Sequence, residues 1–274
     1  MGTGERHGRS GTPPRHLPGT PCWMSLLVRD LPRSEEFYRR LFGWRFRAGA
    51  EQLGPYVRAL LDGQEVAGIG LPAPGGSAPV AWLPYLATDD ADATADQIRT
   101  CGGTVGVGPL DAGEDGRMAL AIDPAGAPFA VWQSRQSPGA ADVTGPGTAT
   151  WVELITPDAW AAAGFYGEVF GYRNEAVLTE RDDIIRLHVD GLPVGDIRGV
   201  GDRLPAGRGP HWLVYFEVAS TDHSARRVTE LGGRVLRGPE ESAHGRTALV
   251  TDPEGALFAL VHTTERAAPP SMPA

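Results

Sequence analysis

The feature that most constrains this chain is an internal echo: Phe37-Tyr38-Arg39-Arg40-Leu41-Phe42-Gly43-Trp44 returns as Phe165-Tyr166-Gly167-Glu168-Val169-Phe170-Gly171-Tyr172. In both copies the apolar residues fall at i, i+1, i+4 and i+5, one face of a helix, and a glycine then an aromatic follow where a left-handed cap and its hydrophobic clasp belong. Other echoes keep the same order. Trp151 answers Trp23, Trp212 answers Trp82, and Gly232-Gly233 answers Gly102-Gly103. Gly245-Arg246 answers Gly116-Arg117, and Asp252-Pro253-Glu254-Gly255 answers Asp123-Pro124-Ala125-Gly126. Colinear echoes over most of a chain mean duplication, so one half's fold predicts the other's.

Within each half the pattern repeats again at lower fidelity. A strand over Cys22 to Val28 leads to a helix opened by Asp30 and Pro32 and closed at Gly43. Strand-like runs at Tyr56 to Leu61 and Val66 to Leu71 flank Asp62-Gly63, a pair that tolerates the positive φ of a tight hairpin. The same order follows with a strand at Trp82 to Thr88 and a helix at Asp89 to Cys101. Strands near Val105, at Arg117 to Ile122 and at Pro128 to Trp132 complete it. The expected organisation is a tail over 1–19, a module over 20–134, a Gly/Pro/Ala-rich linker over 135–147, a second module over 148–263 and a loose tail over 264–274.

This repeated β-α-β-β-β unit, with FY…FGW, GG-x-V, GR and DP-x-G in place, resembles the vicinal-oxygen-chelate superfamily. Its two-module glyoxalase/bleomycin-resistance/dioxygenase-like branch, sometimes labelled hydroxylase, fits best. The resemblance implies an α+β fold of tandem glyoxalase-like modules, each of two βαβββ units forming a cupped mixed sheet with helices outside. It also implies metal ligands on the first and last strands of the units. At those positions this chain has Trp23, Leu83 and Ala130, then Trp151, Leu213 and Ala259. Indole, isobutyl and methyl groups offer no donor to a divalent cation, so the expectation is a site with no metal and no other cofactor.

If those positions mark the inner face, strand alternation turns Trp23, Ser25, Leu83, Tyr85, Ala130 and Trp132 toward the first cup. The second cup then receives Trp151, Glu153, Leu213, Tyr215, Ala259 and Val261. Aromatic walls with tyrosine hydroxyls suit a planar organic ligand, although such aromatics can also simply fill a cup. Gly68 and Gly70, where the second module has Asp196 and Arg198, are expected to leave room in the first cup, which makes it the expected ligand site. Glu153, and His188 beside Asp196, are the acid/base candidates; structural ion pairs, Glu153 with Arg186 among them, are the alternative. Arg117 and Arg246 are candidates for an anionic ligand at a cup mouth, or braces for the loops that hold them.

The composition bounds the partners. A net charge of −9 disfavours nucleic acid and anionic membranes, which attract basic surfaces. No apolar run reaches the ~18 residues of a membrane span, and Met1 to Arg6 shows no secretory core, so the cytoplasm is the default address. Cys22 and Cys101 lack metal or redox spacing and read as buried free thiols. The expected protein is a small-molecule binder, as a two-module monomer or a homodimer, that sequesters or modifies an aromatic metabolite or antibiotic. The alternatives are a metal-dependent glyoxalase, lyase or dioxygenase drawing ligands from His188, Asp196 or His211, and an interaction module with filled cups.

Overall fold

The structure is a computed structural model that describes residues 16–49, 54–72, 80–135, 143–179, 182–204 and 207–263. Most of the expected tails and linker therefore lies outside the described residues.

The first half runs β1 (Pro21–Leu27), α1 (Leu31–Phe42), β2 (Arg45–Ala48), β3 (Tyr56–Leu61), β4 (Gln64–Gly70), β5 (Ala81–Ala87), α2 (Ala91–Thr100), β6 (Thr104–Ala112), β7 (Gly116–Ile122) and β8 (Pro128–Ser134). The second half repeats it: β9 (Ala149–Thr156), α3 (Ala159–Phe170), β10 (Arg173–Val177), β11 (Asp183–Val189), β12 (Leu192–Gly199), β13 (His211–Glu217), α4 (Thr221–Glu230), β14 (Arg234–Ser242), β15 (Gly245–Thr251) and β16 (Leu257–His262). Each half forms one eight-stranded sheet, in the orders β2-β3-β4-β1-β5-β8-β7-β6 and β10-β11-β12-β9-β13-β16-β15-β14. The two βαβββ units of a half meet through antiparallel pairing of their first strands, β1 with β5 and β9 with β13. The edge strands β2 and β10 are the elements the residue pattern alone does not announce, because both are short and mostly exposed.

Local chemistry sets the helix ends. Asp30, Asp90, Asp158 and Ser220 each accept backbone N–H groups at the N-caps of α1 to α4. Gly43 (φ 78°) and Gly171 (φ 73°) close α1 and α3 in the left-handed region, where a side chain would be strained.

The echoed aromatics join the halves. Tyr38 of α1 is fully buried; its hydroxyl accepts from Trp82 Nε1 (3.1 Å) and donates to Asp252 Oδ2 of the other half (3.1 Å). Tyr166 of α3 repeats this with Trp212 Nε1 (3.1 Å) and Asp123 Oδ2 (3.2 Å). Each Asp-Pro turn thus receives the other half's tyrosine. The apolar face of α1 is shared across the junction too, with Phe42 5.1 Å from Phe216 between ring centroids. One continuous core includes Phe37, Phe129, Phe165 and Phe258 from both halves. It occupies the helix side of both sheets and leaves their other faces, the cups, to separate clusters.

Candidate functional site

Strand facing follows the expected alternation. Tyr85, Ala130, Trp23 and Trp132 cluster on the concave side of the first sheet, while Met24, Leu26, Val28, Trp82, Leu86 and Phe129 join the core behind it. Trp151, Leu213, Tyr215, Ala259 and Val261 cluster likewise in the second cup.

The expected room beside Gly68 and Gly70 is not there. Tyr56 lies across it: a Cβ on Gly68 would sit 1.7 Å from the Tyr56 hydroxyl oxygen, and one on Gly70 2.8 Å from the ring. The hydroxyl bonds Ser25 Oγ (2.8 Å) and accepts from Trp23 Nε1 (2.9 Å), so both inner residues are engaged within the protein. Arg58 then spans the cup, pairing with Glu65 (2.9 Å) on β4 and with Asp115 in the β6–β7 turn. The glycines accommodate a tyrosine, not a ligand. Cys22, in the same cluster, is buried and its thiol is pushed up to about 12, chiefly by desolvation. Cys101 is only half-buried.

The second cup has Ile184 at the place of Tyr56, and its floor is charged. Glu153 and Asp196 are 1% exposed and stand opposite each other in the register of β9 and β12. Burying two carboxylates side by side is costly unless each has its own cation. Arg198 bonds Glu153 Oε1 through Nε (2.8 Å) and pairs with Asp182 (3.1 Å). Arg186 bonds Asp196 Oδ1 through Nε (2.9 Å) and lies 5.8 Å from the Trp151 ring centroid, within cation–π range. Glu153 pairs with Arg198, not with Arg186. Tyr215 donates to Glu153 Oε2 (2.7 Å), and burial, then the nearby carboxylate, raises its hydroxyl well above the ordinary tyrosine range. Its proton stays in place at any physiological pH.

His188 does not meet Asp196. A β-bulge between Leu187 and His188 sets His188 opposite Pro193, and its Nε2 lies 3.3 Å from Glu175. The histidine that reaches Asp196 is His244, in the β14–β15 turn, with Nε2 3.6 Å from Oδ2 and its ring between Trp151 (5.5 Å) and Tyr215 (5.1 Å). Burial lowers the His244 pKa, partly offset by Glu153 and Asp196. Pairing Gly245-Arg246 with Gly116-Arg117 puts His244 at the place of Asp115, which was the available sequence signal. Arg117 and Arg246 lie elsewhere: each makes two hydrogen bonds to an aspartate in the first turn of a helix, Asp92 in α2 and Asp222 in α4. They brace hairpins and do not line the cups.

A cavity of about 570 Å³ opens on the second sheet beside this network. Leu213, Leu249 and Leu257 contribute apolar wall, Glu153, Tyr215 and Arg198 contribute floor, and Arg208 and His211 stand at the lining as well. A volume of that size falls within the ~300–1,000 Å³ of small-molecule sites. The six positions at which the fold would hold a metal remain Trp23, Leu83, Ala130, Trp151, Leu213 and Ala259, and their side chains do not fit one. Among the described residues no group of three or more His, Cys, Asp or Glu is disposed to hold a metal ion, and no helix is long and apolar enough to cross a membrane.

The family description "Glyoxalase/Bleomycin resistance protein/Dioxygenase superfamily" matches residues 22–131, and that of a glyoxalase-like domain matches residues 151–261. The chain is 36% identical over 266 residues to the anthracycline biosynthesis protein DauV of Streptomyces sp. (strain C5). It is 37% identical over 267 residues to the anthracycline biosynthesis protein DnrV of Streptomyces peucetius. Each match covers 92% of this chain and 96% of the relative. Among solved structures, the 2,3-dioxygenase LapB of Pseudomonas sp. KL28 superposes with a TM-score of 0.64 over 94% of this chain and 98% of LapB. At 18% identity that likeness shows the fold alone.

Proposed function

We propose that this chain, which belongs to the glyoxalase/bleomycin resistance protein/dioxygenase superfamily, binds a planar, multi-ring aromatic ligand in its second cup without a metal. The observation that carries the reading is the cavity of about 570 Å³, with leucine walls over a floor where Tyr215, Glu153 and Arg198 are already hydrogen-bonded. Such a site takes an apolar ring system by its faces and leaves polar groups to fix its orientation. Kinship with two anthracycline biosynthesis proteins over nearly the whole chain supports a fused-ring polyketide as the ligand class. The metal positions offer no donor atoms, so the chemistry open to the cup is sequestration, or acid/base work by side chains.

Acid/base catalysis is the second reading, favoured by one observation: the His244 ring packs at a tilt against Tyr215, 5.1 Å between centroids, with its Nε2 3.6 Å from buried Asp196. The charge of the carboxylate raises the proton affinity of the ring against its burial, as a group that takes up and releases a proton requires.

The test is calorimetric titration with an anthracycline after dialysis against EDTA. Saturable one-to-one binding is expected, abolished by Leu249→Trp in the second cup and retained by Leu120→Trp at the equivalent place in the first. Binding lost on chelation, or lost in Leu120→Trp and kept in Leu249→Trp, defeats the proposal. Mass spectrometry of the recovered ligand separates the two readings: unchanged mass and fragmentation mean sequestration, a new species means catalysis.

A further inference from the structure

The guanidiniums around the second cavity are not equally occupied. Arg198 is held by Glu153 and Asp182, Arg203 by Asp182, and Arg237 by Glu240 at 3.6 Å. Arg208 lines the same cavity, half-buried, and has no carboxylate partner among the described residues. A guanidinium is a donor only, so an unpaired one facing a cavity asks for an oxygen acceptor.

Three residues on, His211 presents the opposite chemistry. Its Nδ1 lies 2.8 Å from the Gly209 carbonyl oxygen. A carbonyl only accepts, so Nδ1 carries the proton, and in the neutral ring Nε2 is then a bare acceptor. Burial holds the ring below the ordinary histidine value, and the Arg208 charge pushes the same way against the hydrogen bond to Gly209. Neutral imidazole is therefore the resting form at physiological pH, and His211, like Arg208, borders the cavity.

From this adjacency we infer that Arg208 and His211 form a recognition pair for one polar edge of the ligand, Arg208 donating to a carbonyl oxygen and His211 Nε2 accepting from a hydroxyl. The ligand class is a hydroxylated aromatic ketone or quinone bound with its hydroxyl proton in place. No bond is made or broken. The inference rests on the second cavity being the ligand site, and it assigns what that site selects. A ligand that offers a carbonyl alone leaves the imidazole lone pair unmet, and loss of a buried hydrogen bond is how polar sites reject close analogues.

The probes are 2-(hydroxymethyl)anthraquinone and its methyl ether, which share rings and carbonyls and differ by one donor. In the wild-type protein the alcohol is expected to bind about tenfold more tightly than the ether, the effect of about 1.4 kcal/mol. His211→Phe should bring the ratio of affinities toward one, whereas Arg208→Leu should weaken both probes and leave the ratio standing. Equal affinities in the wild type overturn the recognition pair while the cavity remains a binding site. A tenfold preference that survives His211→Phe also overturns it. No binding of either probe to the wild type overturns both the pair and the proposed function beneath it.

Discussion

The two cups share a strand plan and differ in what closes them. In the first, Tyr56 lies over Gly68 and Gly70 and bonds Trp23 and Ser25, and Arg58 ties the cup to the β6–β7 turn. In the second, Ile184 replaces Tyr56 and the glycine positions hold Asp196 and Arg198, so the volume a tyrosine would fill goes to ion pairs at the floor and a cavity beside them. After duplication a sheet face can become either packing or a charged floor with a cavity beside it. What decides is the size of one residue on β3 or β11 and the polarity of two on β4 or β12.

The largest expected effects test whether the halves are equivalent behind the cups. Phe37→Ala and Phe165→Ala remove matching rings from one shared core and should each cost about 3–5 kcal/mol by urea unfolding. A twofold smaller loss for one of them would show that the junction does not distribute the load evenly.

Next comes a contrast at equivalent positions inside the cups. Arg186→Ala leaves Asp196 buried, with side-chain exposure of 2%, and without its guanidinium, a loss of about 3–5 kcal/mol. Arg58→Ala frees Glu65 and Asp115, whose side chains are 26% and 37% exposed and can turn to water, at about 1 kcal/mol or less. Equal losses in chemical denaturation would erase the distinction between a buried floor and a surface strap.

Tyr56→Phe takes from the first cup only the hydroxyl that joins Trp23 to Ser25, and should cost about 1–2 kcal/mol in the same measurement. It should leave second-cup ligand affinity unchanged.

The histidine-linked pH dependence should belong to the second module, since residues 20–134 contain no histidine. His211 and His244 are held below the usual value of 6.5 mainly by burial, so below that pH the unfolded chain binds protons that the native rings resist. Stability should be intact above about pH 6.5 and fall as the pH drops through it. His211→Asn/His244→Asn should flatten that slope in a series of thermal melts, and an unaltered slope would place the acid sensitivity elsewhere.

Much of this architecture was legible because it is written locally. Asp30 and Gly43 bound a helix whatever surrounds it, and Asp62-Gly63 turns a hairpin by its own φ values, 50° and 85°. Period-two alternation sorted Trp23 from Met24 and Glu153 from Leu154 correctly. The site was legible only in part. Glu153 and Asp196 are buried and charged at the second cup, but their partners came from elsewhere: Arg198 for Glu153, and His244 in place of His188. Asp196 stands opposite Arg186, two residues before His188, and a register shift after Leu187 carries His188 on to Pro193, a displacement that leaves no mark in residue type.

By itself the sequence determined the duplication, the β-α-β-β-β order and the inner faces, because caps, turn residues and strand periodicity act over a few neighbouring residues. The tertiary structure decided what fills the space over the two matching strand positions in each cup. Whether two glycines make a pocket depends on a tyrosine arriving from the next strand, and whether a carboxylate is a base or half of an ion pair depends on which guanidinium can reach it. Those are distances between residues far apart in the chain, and they are fixed only once the sheets have curled and the two halves have joined through Tyr38 and Tyr166.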